Sequence, residues 1–82
     1  MFLSICIPTF NRIHCLNNCL NAIYISKIFF DHEFEVCISD NCSTEDVEKV
    51  VNLYKDKINI KFKKNKENIG LGKNILEAVS MA

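Results

Sequence analysis

Three polar stretches hold most of the residues able to do chemistry: 8–12 (PTFNR), 40–44 (DNCST) and 65–73 (NKENIGLGK). Each follows a run with strand character and precedes a run with helical periodicity. In an open parallel sheet such loops gather beyond the carboxyl ends of the strands, where ligands bind. A helix that starts there turns its unpaired N–H groups and the positive end of its dipole toward the ligand. That favours an anionic group such as phosphate.

Several specific motifs fail on inspection. A dinucleotide fingerprint needs GxGxxG after the first strand, and this chain has PTFNR there. Residues 70–74 (GLGKN) look like the end of a P-loop. However, Glu67 stands where the first glycine belongs, and Asn74 replaces the metal-binding Ser or Thr. No CxxC pair supports a thioredoxin-like redox site. Cys15 and Cys19 share a helical face, but neither His14 nor His32 has a partner at zinc-ligand spacing. Without a positioned partner, both histidines read as surface residues.

The elements around these loops follow from periodicity. Residues 2–7 (FLSICI) form a nearly continuous apolar run, which predicts a strand buried on both faces and ended by Pro8. Ile13, Leu16, Leu20 and Ile23 then make a helical stripe. That helix is expected to fray over residues 26–30, with Asp31 and His32 in a loop. Residues 34–39 (FEVCIS) are a second strand. Ser43 and Asp46 match a capping box for a second helix carrying Val47, Val50, Val51 and Tyr54. Ile58, Ile60 and Phe62 alternate with Asn59, Lys61 and Lys63, as in a strand with one dry and one wet face. Ile75, Ala78, Val79 and Ala82 repeat at helical spacing, so the chain is expected to stop within a third helix.

The order β-α-β-α-β-α predicts an α/β fold with a parallel sheet, right-handed crossovers and helices on both faces. The first two strands look interior and the third looks like an edge, giving spatial order 3-2-1. Lys61, Lys63, Lys64 and Lys66 read as a wet edge that opposes aggregation. Residues 1–82 are expected to form a single partial domain. It would be the front of a larger domain, or a unit that completes its sheet with a partner chain.

Composition bounds the rest. Apolar residues are 49% and charged residues 24% of 82, which suits a folded domain. Ten Lys and Arg balance ten Asp and Glu, which argues against a nucleic-acid binder that relies on bulk charge. Five cysteines cannot all pair within one chain, and several sit in apolar runs, so a reducing, cytoplasmic setting is expected. No apolar run approaches the ~20 residues that span a bilayer. The apolar start lacks a basic leader, so it does not read as a cleaved signal peptide.

Taken together, residues 4–12 (SICIPTFNR), 34–44 (FEVCISDNCST) and 68–70 (NIG) resemble the amino-terminal half of a family 2 glycosyltransferase with the GT-A fold. The bacterial transferases that build surface polysaccharides, abequosyltransferase-like proteins among them, are the nearest in pattern. The resemblance implies a truncated nucleotide-diphospho-sugar transferase fold, Rossmann-like and three-layered. It also implies a nucleotide-sugar donor linked to UDP, CDP or dTDP, and a glycan or lipid-linked acceptor.

The site residues carry over by position. Pro8, Thr9 and Phe10 would hold the nucleoside, with Phe10 where the family often has Tyr. Arg12 would approach a phosphate. Asp40, ending the second strand, would read the base, since a carboxylate accepts hydrogen bonds from a ring N–H or an exocyclic amine. Asn41 joins the nucleotide-facing set, although turn formation is the more natural role for it. Asn68 would shape the third loop, Gly70 would allow close approach, and Lys73 would supply charge. Plainer roles stay open: Thr9 and Asn11 as caps of the first helix, Asp40 as a turn former, Lys73 as a solvated helix residue.

The family's metal-binding Asp-x-Asp, which would hold Mg or Mn, and its catalytic base are not in this sequence. The 82 residues are therefore expected to lack transferase activity alone. In a longer protein, attachment to the inner face of the membrane is a further expectation. A non-catalytic α/β module that assembles through an open sheet edge, as a homo-oligomer for instance, is the alternative reading.

Overall fold

A computed structural model of the chain describes residues 3–29 and 33–82. Phe2 and the turn expected at Asp31 and His32 lie outside the described residues. The elements are β1 (Leu3–Thr9), α1 (Ile13–Ser26) with a 3-10 turn (Lys27–Phe29) after it, β2 (Phe34–Asp40), α2 (Val47–Tyr54), β3 (Ile60–Lys64) and α3 (Leu71–Ser80). The strands are parallel in the order β1-β2-β3, which is the spatial order 3-2-1. Register puts Cys6 opposite Cys37, Thr9 opposite Asp40, and Asp40 opposite Lys64.

The two faces of the sheet are chemically different because strand side chains alternate. Val36 and Ile38 of β2 pack with Leu16 and Leu20 of α1 and with Val47, Val50, Val51 and Tyr54 of α2. Ile5, Ile7, Ile60 and Phe62 join this core from the outer strands. Leu20, Val36, Ile38 and Val51 are wholly buried, each stabilising the fold by about 1.5–3 kcal/mol relative to exposure. Ile58 is buried in the same core although it precedes β3, because the turn after α2 folds it inward.

The opposite face is polar and lies under α3. Ser4 Oγ donates to Glu35 at 2.7 Å, and Lys61 Nζ lies 2.9 Å from the same carboxylate. Lys61 also donates to the Met81 carbonyl at 3.1 Å, and Lys63 pairs with Glu77 of α3. The Ser4 hydrogen bond, then Lys61, hold the Glu35 carboxyl below its ordinary value. Glu35 in turn raises Lys61, and burial raises the Cys37 thiol. Two of the lysines expected as a wet edge are thus tied to acidic partners.

Three expectations need correction. Asp46 caps α2, accepting from the Lys49 N–H at 3.2 Å, and Ser43 is drawn away to other partners described below. Only β2 is interior, since β1 has a paired neighbour on one side among the described residues and is only partly buried. The third helix ends at Ser80, and of its expected apolar stripe Ala78 is buried while Ile75 and Val79 are exposed. Its buried face runs through Asn74 and Ala78, because the sheet surface beneath it is polar.

Candidate functional site

The carboxyl ends of the three strands and the start of α3 enclose a cleft of about 400 Å³, within the range of small-molecule sites. Pro8, Thr9, Phe10, Arg12, Asn41, Asn68, Gly70, Leu71 and Asn74 line it. The three polar loops of the sequence therefore converge, because parallel strands of similar length end at the same edge.

The first two loops are locked together. Asn11 sits at φ 48°, a left-handed conformation that Asn tolerates better than most residues. Its N–H donates to Ser43 Oγ at 2.8 Å, and its side-chain oxygen accepts from Thr44 N–H at 2.9 Å. Asn41 N–H donates to the Thr9 carbonyl at 2.9 Å. Ser43 turns back on Asp40, giving its hydroxyl and its backbone N–H to Asp40 Oδ1. Competition from Asp40 and Asn11 explains why Ser43 does not cap α2. Neither Thr9 nor Asn11 caps α1, whose first N–H instead meets Glu45 Oε1 at 3.4 Å.

The third loop hangs from an amide network. Asn41 Nδ2 donates to Asn68 Oδ1 at 2.9 Å, and Asn41 Oδ1 accepts from Ile69 N–H at 2.9 Å. Asn68 Oδ1 also accepts from Gly70 N–H at 2.8 Å. Gly70 has φ 87°, which a side chain would strain, and it opens α3 beside the cleft. The leading N–H groups of α3 thus border the cleft, where they favour anionic groups.

Of the residues singled out from sequence, Pro8, Thr9, Phe10, Arg12, Asn41 and Asn68 line the cleft. Asp40 does not. It is 1% exposed and stands in register with Thr9, a lining residue. Among the described residues, its Oδ2 is the one buried side-chain oxygen or nitrogen with no hydrogen-bond partner. Lys73 lies in the first turn of α3, exposed and off the lining. Leu71 and Asn74 are lining residues that sequence reasoning missed. Asn74 carried one signal: it shares a helical face with Ala78, four residues on.

No group of three or more His, Cys, Asp or Glu among the described residues is placed to hold a metal ion. The donor set for a divalent cation is therefore not met by these residues. All five cysteines are free thiols. No helix of the described residues is long and apolar enough to cross a membrane.

Comparison with known proteins places this geometry. Abequosyltransferase RfbV of Salmonella typhimurium is 38% identical over 84 residues, covering the whole chain and 25% of that protein. Poly(ribitol-phosphate) beta-N-acetylglucosaminyltransferase TarS of Staphylococcus aureus is 33% identical over 70 residues, covering 85% of the chain and 12% of that protein. The solved structure of S. aureus TarS 1–349 superposes with a TM-score of 0.78 at 31% identity, covering the whole chain and 24% of its own. The same protein in complex with UDP-GlcNAc gives a TM-score of 0.74. The chain thus has the α/β fold of the GT-A glycosyltransferases, and it spans a quarter or less of the length of these relatives. Residues 4–82 match the family described as Glycosyl transferase family 2, and the chain belongs to that family.

Proposed function

We propose that the chain forms the donor-nucleotide portion of a sugar-transfer site. The observation that carries this reading is the convergence of Thr9, Phe10, Arg12, Asn41 and Asn68, from all three strand-end loops, on one cleft beside the start of α3. An unpaired buried acceptor is costly unless something donates to it. Asp40 Oδ2 is such an acceptor, and the ring N–H of a pyrimidine such as uracil is a suitable donor, provided the residues that cover this oxygen shift to admit it. Thr9 and Phe10 would hold the nucleoside, while Asn41 and Asn68 shape the wall. Arg12 and the start of α3 would face the diphosphate, with Lys73 adding charge from the rim. TarS has been solved with UDP and with UDP-GlcNAc, which supports a nucleotide sugar as partner. UDP, CDP and dTDP are the carriers to compare.

In the complete reaction an acceptor hydroxyl, on a glycan or lipid carrier, would attack the anomeric carbon with inversion as the nucleoside diphosphate leaves. A divalent cation, Mg or Mn, would offset the diphosphate charge, and its ligands would come from outside these residues. No catalytic group is assigned within the chain, and the 82 residues alone are expected to transfer no sugar. The relatives favour a role in bacterial surface polysaccharide synthesis, and the setting we propose for it is the cytoplasm, near the inner face of the membrane.

The test is titration with UDP of the wild type and of Asp40→Asn, which keeps the shape but turns the acceptor into a donor. An affinity loss of about tenfold or more is expected. Equal affinity would remove Asp40 from the site.

A second reading, assembly through the sheet edge, is favoured by β1. Its far side has no paired strand among the described residues, and the nearby α3 exposes Leu71 by 72% and Leu76 by 68%. Size-exclusion chromatography separates the two readings, since a monomer at high concentration counts against assembly.

A further inference from the structure

We propose that Asn74 is a positioning residue that fixes the third loop and the first turn of α3 in the arrangement that receives the nucleotide. This inference rests on the donor-site reading above. Asn74 is 2% exposed and belongs to α3, yet its amide makes no contact along the helix. Its Oδ1 accepts from Ser39 Oγ at 2.7 Å and from Asn65 Nδ2 at 3.0 Å. Its Nδ2 donates to the Ser39 carbonyl at 3.1 Å. One amide therefore joins three segments: the end of β2, the start of the third loop and the start of α3.

Asn65 extends the connection. Its Nδ2 also reaches Asn41 Oδ1 at 3.3 Å, and its backbone N–H donates to the Asp40 carbonyl at 2.8 Å. Asn41 in turn holds Ile69 N–H and Asn68, and Asn68 holds Gly70 N–H. The chain of contacts runs from Ser39 through Asn74, Asn65, Asn41 and Asn68 to Gly70. It crosses the wall of the cleft and ends where α3 begins. All of its side-chain links are amide or hydroxyl groups of fixed geometry, so the loop is held in one place without charge. The apolar contacts of α3 do not do this, since its large apolar residues Leu71, Ile75, Leu76 and Val79 are exposed and only the small Ala78 is buried.

Asn74 spends its amide on protein groups, so its role is to place other residues. A side chain of similar size without the amide would leave Ser39 Oγ, the Ser39 carbonyl and Asn65 Nδ2 short of partners in a buried site, which is costly. Asp is the closest replacement in shape. It keeps the acceptor atoms but loses the donor, and sets a carboxylate against the Ser39 carbonyl.

The experiment compares wild type, Asn74→Asp, Ser39→Ala and Ala78→Gly in the 82-residue chain. Ala78 is wholly buried on α3 but takes no part in the network, so Ala78→Gly weakens the helix without touching the loop. UDP affinity, thermal midpoint and residue-resolved amide exchange are measured for each. Asn74→Asp is expected to weaken UDP binding about tenfold and to speed exchange at Ile69 and Gly70, while the β1–β2 amides keep their protection. Ser39→Ala removes one of the three contacts and is expected to give a smaller effect in the same direction, about threefold. Ala78→Gly is expected to lower the thermal midpoint while leaving UDP affinity and loop exchange unchanged.

Wild-type affinity in Asn74→Asp would overturn the proposal, as would an equal loss in Ala78→Gly. If Asn74→Asp does not fold, Ser39→Ala decides by the same readouts. If the wild type itself does not bind UDP, the donor-site reading fails. The positioning claim is then judged on exchange alone, and unchanged exchange at Ile69 and Gly70 would reject it.

Discussion

Replacing Ser43 by Ala tests whether the first two loops are welded into one unit. Ser43 is 4% exposed and sits between Asp40 and Asn11. Its hydroxyl donates to Asp40 Oδ1 and accepts from Asn11 N–H at 2.8 Å. Removing it deletes a hydrogen bond to a buried carboxylate whose other oxygen already lacks a partner. A hydrogen bond to a charged group contributes about 1.5–3 kcal/mol. Asn11 is exposed, so water can take over its N–H and little is added there. The expected loss is thus about 1.5–3 kcal/mol. A chain of 82 residues has a total stability of about 4–12 kcal/mol, so a large share would be lost. Urea unfolding followed by circular dichroism should show the midpoint falling by about 2 M, taking a slope of ~1 kcal/mol/M. The thermal midpoint should drop by about 10–20 °C. Ser43→Thr keeps the hydroxyl and should recover most of the loss. A Ser43→Ala protein within about 0.5 kcal/mol of wild type, the spread of an ordinary surface change, would refute this reasoning.

Other outcomes follow from the same contacts. Glu35 has a folded pKa below its ordinary value, so its contribution is present above the ordinary carboxylate range and is lost as pH falls through the lowered value. The stability gap between wild type and Glu35→Gln should be widest at about pH 7 and close in acid, and a gap independent of pH would contradict the assignment. Lys61, raised by Glu35, contributes fully below its ordinary value of 10.5, and that contribution is lost as pH rises through the raised value. Arg12, exposed on the cleft rim, should matter to the diphosphate and not to the nucleoside. Arg12→Ala is expected to weaken UDP about two- to fivefold in low salt while leaving uridine unchanged, and an equal loss for both would place Arg12 elsewhere.

Much of this architecture was legible in the residues. The switch between two-residue and helical periodicity located the elements, and the lysines of β3 marked it as an edge. The polar loops lay where parallel strands end, so their convergence followed from topology. Other features depend on contacts distant in sequence. Ser43 matches a capping signal, yet Asp40 and Asn11 compete for its hydroxyl, and Asn11 is 32 residues away. Asn74 looks like a defect in an apolar stripe until the polar face beneath α3 is seen. Whether Asp40 faces a cleft or is buried beside it depends on how its neighbours pack, which a local motif does not encode. The partial exposure of β1 reflects the neighbours it has, while its composition suits a strand buried on both sides.

The central claim is that the three strand-end loops form one nucleotide site. The most direct measurement is a UDP titration of the isotope-labelled chain followed amide by amide. The account predicts saturable shifts at Thr9, Phe10, Asp40, Asn41, Asn68 and Gly70, with the amides of α2 left unmoved. Shifts confined to another surface, or none at saturating UDP in a folded chain, would contradict it.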